Sequence, residues 1–335
     1  MFGKIGNIRI CGINTVVPNN CVNNMESYAV QFGEKKLKRQ IRMTGMEERF
    51  VAKDGVSSSQ LCKEAADQLL KELGWERDTV RALLYVTETP DYVLPSTSFK
   101  IQKQLGISED CVVYDINLGC SGWIVGMQTI SSIMRSIEPE DEKPVRALLL
   151  TGSISTSHVA ADDFATAMLF GDAGAATALE LSVQDEEFCY MQKSDGTGYQ
   201  HIFMESQDSS VQMNGPAVFE FTINQVVDSI MKFMEHFHVC DETVDFYVFH
   251  QAQKFIVDNM VELLGCPTEK VISSYYSYGN TAAAAIPLTI CLHKDKLREK
   301  DRVIMMAAGF GVGLSWGAIT FDLDTDHIMG ISLLE

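Results

Sequence analysis

Residues 82–91 read Ala-Leu-Leu-Tyr-Val-Thr-Glu-Thr-Pro-Asp, and residues 246–254 read Phe-Tyr-Val-Phe-His-Gln-Ala-Gln-Lys. Each is a short apolar run that opens into a polar loop, the signature of a strand buried on both faces. A second pair echoes the first. Ala147-Leu-Leu-Leu-Thr-Gly-Ser153 matches Val303-Ile-Met-Met-Ala-Ala-Gly309, and each feeds a glycine-rich segment, from Gly171 and from Gly311, that leads into another apolar run. The order is the same in both halves and the spacing drifts only with loop length, so an internal duplication is the economical reading. Val112–Tyr114 reads as a further strand. Between strands, Ser58–Leu73 places Leu61, Ala65, Leu69 and Leu73 on one helical face, and Gln212–Glu235 and Lys254–Leu264 have similar spacing. Strands alternating with helices predict an α/β fold with a largely parallel core sheet. The halves divide at residues 1–182 and 183–335.

Composition narrows the function. The 335 residues carry 27 Lys+Arg against 45 Asp+Glu, a net charge of −18, and 46% are hydrophobic. That is core-forming material, unlike a disordered chain. The acidic balance argues against a general nucleic-acid binder, although one local basic patch is enough for an acidic partner. No run approaches the ~18 apolar residues of a membrane span. Met1–Cys11 lacks the apolar stretch of a secretory signal and reads as a first strand. Nine cysteines are scattered without a C-x-x-C pair. That suits buried free thiols in a reducing cytoplasm and neither a disulfide framework nor a zinc site.

Four segments carry chemistry. In Asp115-Ile-Asn-Leu-Gly-Cys120-Ser-Gly-Trp-Ile-Val-Gly126 a strand ends, small residues turn, and helical spacing resumes over Trp123–Ile137. Cys120 is thereby placed at a helix N-terminus, where free N–H groups and the dipole favour thiolate. The plainer reading is a buried structural thiol. His250 falls where a buried strand ends, a position typical of open-sheet active sites. His236 and His238 lie at a helix end, His293 in a charged tract, and His158, His201 and His327 in loops. Tyr278-Gly-Asn280-Thr-Ala-Ala-Ala-Ala-Ile-Pro287 offers an amide that donates without titrating; Asn280 or Thr281 could equally be a helix cap. Gly309-Phe-Gly-Val-Gly-Leu-Ser-Trp-Gly317 has no Lys, and no helix follows as a phosphate loop requires. Its backbone N–H groups suit an oxyanion instead. Gly171-Asp-Ala-Gly174 reads as a turn.

The motifs together resemble the β-ketoacyl-acyl-carrier-protein synthase III family of the thiolase superfamily. The likeness runs nearly the whole chain, through Arg42-Met-Thr-Gly-Met-Glu-Glu-Arg49, Pro95-Ser-Thr, Asp115–Gly126, Phe170-Gly-Asp172, Met213–Phe219, His250-Gln-Ala252, Gly279-Asn-Thr281 and Gly311–Gly317. It implies a five-layered αβαβα fold, a cytoplasmic homodimer, and Cys120, His250 and Asn280 as catalytic triad. The implied reaction initiates fatty acid synthesis. Cys120 takes an acyl group from an acyl-CoA or other acyl thioester, and a malonyl-acyl-carrier protein then condenses with loss of CO₂. Backbone N–H groups of Cys120 and Val312 would form the oxyanion hole, with no metal or redox cofactor.

The pattern departs from the family at substrate-facing positions. An aromatic expected near Lys38–Gln40 is absent, leaving Arg39 and Arg42 for the CoA phosphates. Gln253 replaces an Asn. Phe255 replaces an Arg linked to carrier docking, with Lys254 beside it. Leu94 replaces a Phe that reaches across the dimer into the partner's acyl pocket. Phe310 is a further candidate for substrate contact. These changes leave open a relative with an unusual acyl group in secondary metabolism or surface-glycan assembly. A degradative thiolase would carry a second Cys, which Gly309–Gly317 lacks. A hydroxymethylglutaryl-CoA synthase would need a Glu acid in the first half, for which Glu88 matches poorly. A non-catalytic partner subunit is disfavoured by retention of Cys120, His250 and Asn280.

Overall fold

The computed structural model of the chain describes residues 1–139, 143–182, 186–207 and 209–335. The expected boundary between the halves abuts residues 183–185, which lie outside the described residues. The strands that build the first half are β1 (Ile8–Val17), β2 (Val80–Val86), β3 (Val112–Ile116), β4 (Arg146–Ser153) and β5 (Ala173–Leu181). Those of the second are β6 (Glu187–Ser194), β7 (Phe246–Phe249), β8 (Val271–Ile272), β9 (Arg302–Gly311) and β10 (Ser315–Asp324). The principal helices are α1 (Glu34–Thr44), α2 (Ser58–Glu72), α3 (Thr97–Leu105), α4 (Gly122–Ser136), α5 (Val227–Phe237), α6 (Lys254–Leu264) and α7 (Ala285–Leu292).

The sheet repeats one plan twice. In the first half the order is β3-β2-β4-β5-β1, and in the second it is β8-β7-β9-β10-β6. The first two pairings of each are parallel and the last two antiparallel. The halves join directly where Leu323 pairs with Ile10. Each also borrows a terminal segment. Phe2–Gly6 pairs with β6 of the second half, and Ile328–Leu333 pairs with β1 of the first.

The apolar runs are continuous because both strand faces are covered. Along β2 and β4, Ala82, Leu84, Val86, Ala147 and Leu149 join the middle layer. Leu83, Tyr85, Leu148 and Leu150 face the opposite way, against Leu61, Ala65 and Leu69 of α2 and Ile101 of α3. The second half does the same. Val248, Met305 and Ala307 face inward, and Tyr247, Phe249, Met306 and Ala308 pack under α5 and α6. Between the sheets lie α4 and α7, so the layers run αβαβα. Trp123, Ile124, Met127, Ile130 and Met134 bury one α4 face there, each side chain worth about 1.5–3 kcal/mol. Gly122 and Gly126 let α4 lie close to the first sheet. Cβ atoms there would stand 2.7 Å from Val86 Cγ1 and 2.6 Å from Leu149 Cδ1.

One expected helix is shorter than its spacing suggested. Gln212–Met213 is extended and pairs with Ile202–Phe203. Asn214 then caps a helix over Gly215–Phe221, its Oδ1 accepting the Ala217 N–H at 3.2 Å, and a π turn at Thr222–Val226 leads into α5. Asn followed by Gly-Pro ends an extended segment and opens a helix, overriding the apolar period upstream.

Candidate active site

The loops after the parallel strands of both halves converge on one cavity of about 390 Å³. Cys120 follows β3, His250 follows β7, and Asn280 lies beyond β8. All three line that cavity. The strand ends are held firmly. Asp115, at the end of β3, accepts the Thr97 and Ser98 N–H groups at 2.6 and 2.8 Å and so ties the Cys120 loop to the start of α3. Gln251 donates to the Phe249 carbonyl at 2.6 Å and accepts the Ser274 N–H at 2.7 Å, which fixes the His250 loop to the segment before Asn280. Asn280 accepts the Ala282 N–H through Oδ1 at 3.0 Å, so it caps the following turn and keeps its NH₂ as a donor. The expected cap is made by Asn280, which also lines the cavity.

Burial sets the charge states. Cys120 precedes α4 by two residues, and its own N–H and that of Val312 both hydrogen-bond its sulfur, favouring thiolate. Enclosure in protein outweighs them, and the nearby Glu88 carboxylate adds to it, so the thiol is pushed well up rather than down. The expected lowering at the helix start is thus overturned by desolvation. Gly311 permits this closeness, because a Cβ there would stand 2.7 Å from Cys120 Cβ and 2.9 Å from its sulfur. His250 is 1% exposed, and burial brings it down to about 3. Its ring is neutral, set edge-on to Phe310 at 5.6 Å, and its Nδ1 has no partner among the described residues.

The other candidates divide. Gln253, Phe310 and Val312 line the cavity. Arg39 and Arg42 are exposed on α1. Lys254 opens α6, is ion-paired to Asp258, and its Cβ packs against Gly45 at the C-terminus of α1. Leu94 is 85% exposed and does not line the cavity of its own chain. Sequence reasoning passed over Ser155 and His158, which also line the cavity, and rated Glu88 a poor match, although it does too. Their signal was position alone: polar residues directly after a buried strand. The expected turn at Gly171–Gly174 is instead the irregular entry to β5, which begins at Ala173, and Asp172 anchors it. Asp172 is buried and accepts the Ala52 N–H at 2.7 Å and the Thr156 N–H at 3.1 Å.

A twice-repeated five-layer fold with its cavity between the halves defines the thiolase superfamily. Within it, residues 114–196 match the family model for 3-oxoacyl-[acyl-carrier-protein] synthase III, and residues 234–323 match that for its C-terminal part. The β-ketoacyl-[acyl-carrier-protein] synthase III of Bacillus pumilus is 32% identical over 93% of this chain and 98% of its own. That of Geobacillus kaustophilus is 32% identical over 92% and 97%. The 3-oxoacyl-(acyl-carrier protein) synthase structure from Burkholderia xenovorans superposes with a TM-score of 0.94, at 29% identity, covering 100% of this chain and 99% of that one. The chain belongs to the β-ketoacyl-[acyl-carrier-protein] synthase III family of acyl-transferring condensing enzymes. No helix among the described residues is long and apolar enough to cross a membrane.

Proposed function

We infer that the chain condenses an acyl thioester primer, an acyl-CoA, with a malonyl-acyl-carrier protein, with loss of CO₂, through an acyl group carried on Cys120. The observation that supports this most is the convergence of Cys120, His250 and Asn280 on one cavity, with two backbone N–H groups on the cysteine sulfur. A carbonyl attached to that sulfur meets the N–H groups of Cys120 and Val312, which stabilise the oxyanion of the tetrahedral intermediate. Once the acyl group is in place, the malonyl thioester enters. Neutral His250 and the Asn280 amide donate to its carbonyl, holding the enolate that forms as CO₂ departs. The carbanion attacks the acyl carbon, Cys120 leaves as thiolate, and a β-ketoacyl thioester results.

The apolar cavity wall, with Leu169, Phe203, Met204, Val211 and Ile256, suits a hydrocarbon primer. Arg39 and Arg42 on α1 and Lys254 on α6, the last paired with Asp258, are the cations we assign to CoA phosphates or an acidic carrier protein. Leu94, with exposed Tyr92, Val93 and Phe99 around it, fits a homodimer in which this segment enters the partner's acyl pocket. The test is intact-mass measurement after incubation with acyl-CoA. An adduct mapped to Cys120, absent in Cys120→Ser, carries the reading; no adduct, or a stable one on another cysteine, overturns it.

A further inference from the structure

Most of the cavity wall that the condensation leaves free is apolar, with Leu169, Phe203, Met204, Val211 and Ile256. Glu88 and Ser155 interrupt it. Glu88 follows β2 and Ser155 follows β4, strands that pair in parallel, so the two loops are neighbours. Two serine hydroxyls hold the carboxylate by one oxygen. Glu88 Oε1 accepts from Ser155 Oγ at 3.0 Å and from Ser153 Oγ at 3.4 Å, and the two serines hydrogen-bond each other at 2.6 Å. Both serines are buried. The other oxygen, Oε2, takes no hydrogen bond from any of the described residues. It lies against the Cys120 loop, where it would collide with any Cβ on Gly119. Glu88 itself keeps partial exposure and borders the cavity, and no Lys or Arg among the described residues lines that cavity.

We propose that this corner selects the primer: the acyl group taken onto Cys120 carries a hydrogen-bond donor, a hydroxyl or an amino group, close to its thioester end, and Glu88 Oε2 accepts from it. The inference rests on the acyl-cysteine reading and names the class of primer for that same cavity. The place of the donor group follows from Gly119, the residue before Cys120, against which Oε2 rests. The rest of the chain lies along the apolar wall.

The physical reason is the open oxygen. An ionised carboxylate only accepts hydrogen bonds. A plain alkyl primer would press hydrocarbon against Oε2, stripping it of water and giving no partner in return. A primer with an anionic chain end would bring a like charge into a cavity that has no cation to balance it. A hydroxyl or an amine satisfies the oxygen. Ser153 and Ser155 spend their hydroxyls on Oε1, so they orient the carboxylate without occupying the oxygen that meets the primer. A site built to bond a polar group of its substrate rejects the analogue lacking that group far more strongly than an apolar pocket rejects one methylene.

The experiment measures initial rates of Cys120 acylation by intact mass at pH 8, in separate reactions with butyryl-CoA, 3-hydroxybutyryl-CoA, β-alanyl-CoA and succinyl-CoA. The parent should take 3-hydroxybutyryl-CoA or β-alanyl-CoA at least about tenfold faster than butyryl-CoA, and succinyl-CoA should be the poorest donor. Whichever of the first two leads distinguishes a hydroxyl from an amine. Glu88→Leu should lose the preference, with 3-hydroxybutyryl transfer slowed and butyryl transfer kept or quickened. Ser155→Ala, which frees the oriented carboxylate, should weaken the preference and stands in if Glu88→Leu does not fold. A parent that takes butyryl-CoA or succinyl-CoA as fast as the better donor-bearing primer overturns the proposal, as does a variant that keeps the parent's preference. If no CoA thioester, acetyl-CoA included, acylates the parent, the acyl-cysteine reading falls and this inference with it.

Discussion

Cys120 is pulled two ways: two backbone N–H groups favour its thiolate, and enclosure beside Glu88 opposes it. In the proposed reaction His250 and Asn280 act in the second half, where charge develops on a thioester carbonyl. His250→Ala and Asn280→Ala should each slow CO₂ release from malonyl thioester by roughly 10²–10³ and leave Cys120 acylation much less affected. Parallel single-turnover measurements check this; slow acylation with normal decarboxylation would reverse the assignment. Glu88 carries a stability consequence as well. Its folded-state carboxyl holds a proton at pH values where the unfolded chain has lost it, so its ionisation costs stability as pH rises. Glu88→Gln should therefore melt at a higher temperature than the parent at pH 8, with the gap closing toward pH 5. Thermal unfolding of both across that range is the measurement.

Among elements, α1 is the local exception to the chain's charge. Within Glu34–Thr44 it carries Lys35, Lys36, Lys38, Arg39 and Arg42, while the whole chain stands at −18. Leu37 is its buried anchor, so the cations can change without unfolding the helix. Arg39→Glu together with Arg42→Glu should raise KM for acyl-CoA or malonyl-acyl-carrier protein severalfold and leave kcat near the parent value. The effect should weaken at high salt, because exposed charges are screened within about 8–10 Å. Steady-state kinetics at low and high ionic strength decide it; an unchanged KM removes α1 from substrate capture.

For the whole molecule, the exposed segment Tyr92–Leu94 is where the proposed homodimer would place a second copy. A chain with Val93 and Leu94 more than four-fifths exposed leaves apolar surface for a partner to cover. Leu94→Phe adds flat bulk to a side chain proposed to enter the partner's acyl pocket. It should slow acylation by longer primers and spare acetyl-CoA, since each buried methylene is worth about 0.8 kcal/mol. A competition assay among acyl-CoA donors reads the shift. Identical chain-length profiles in parent and variant would take Leu94 out of the pocket.

The repeated fold was legible in the sequence because strands buried on both faces need unbroken apolar runs, and ALLYV, ALLL, FYVF and VIMM supply them twice in the same order. The positions of Cys120 and His250 were legible for a related reason, since each lies shortly after a strand end, whereas Asn280 lies past the short helix Tyr275–Tyr278 and stood out only by its Gly-Asn-Thr segment. The start of the helix near Gln212 was misread because apolar spacing alone does not register the Asn-Gly-Pro that interrupts it. The place of Glu88 on the cavity wall and the charge state of Cys120 were decided only by tertiary structure. Whether a carboxylate after a strand faces water or a closed cavity depends on which strand of the other half comes opposite. Desolvation, which here outweighs the helix N-terminus at Cys120 and keeps His250 neutral, is a property of the assembled layers and of no single segment.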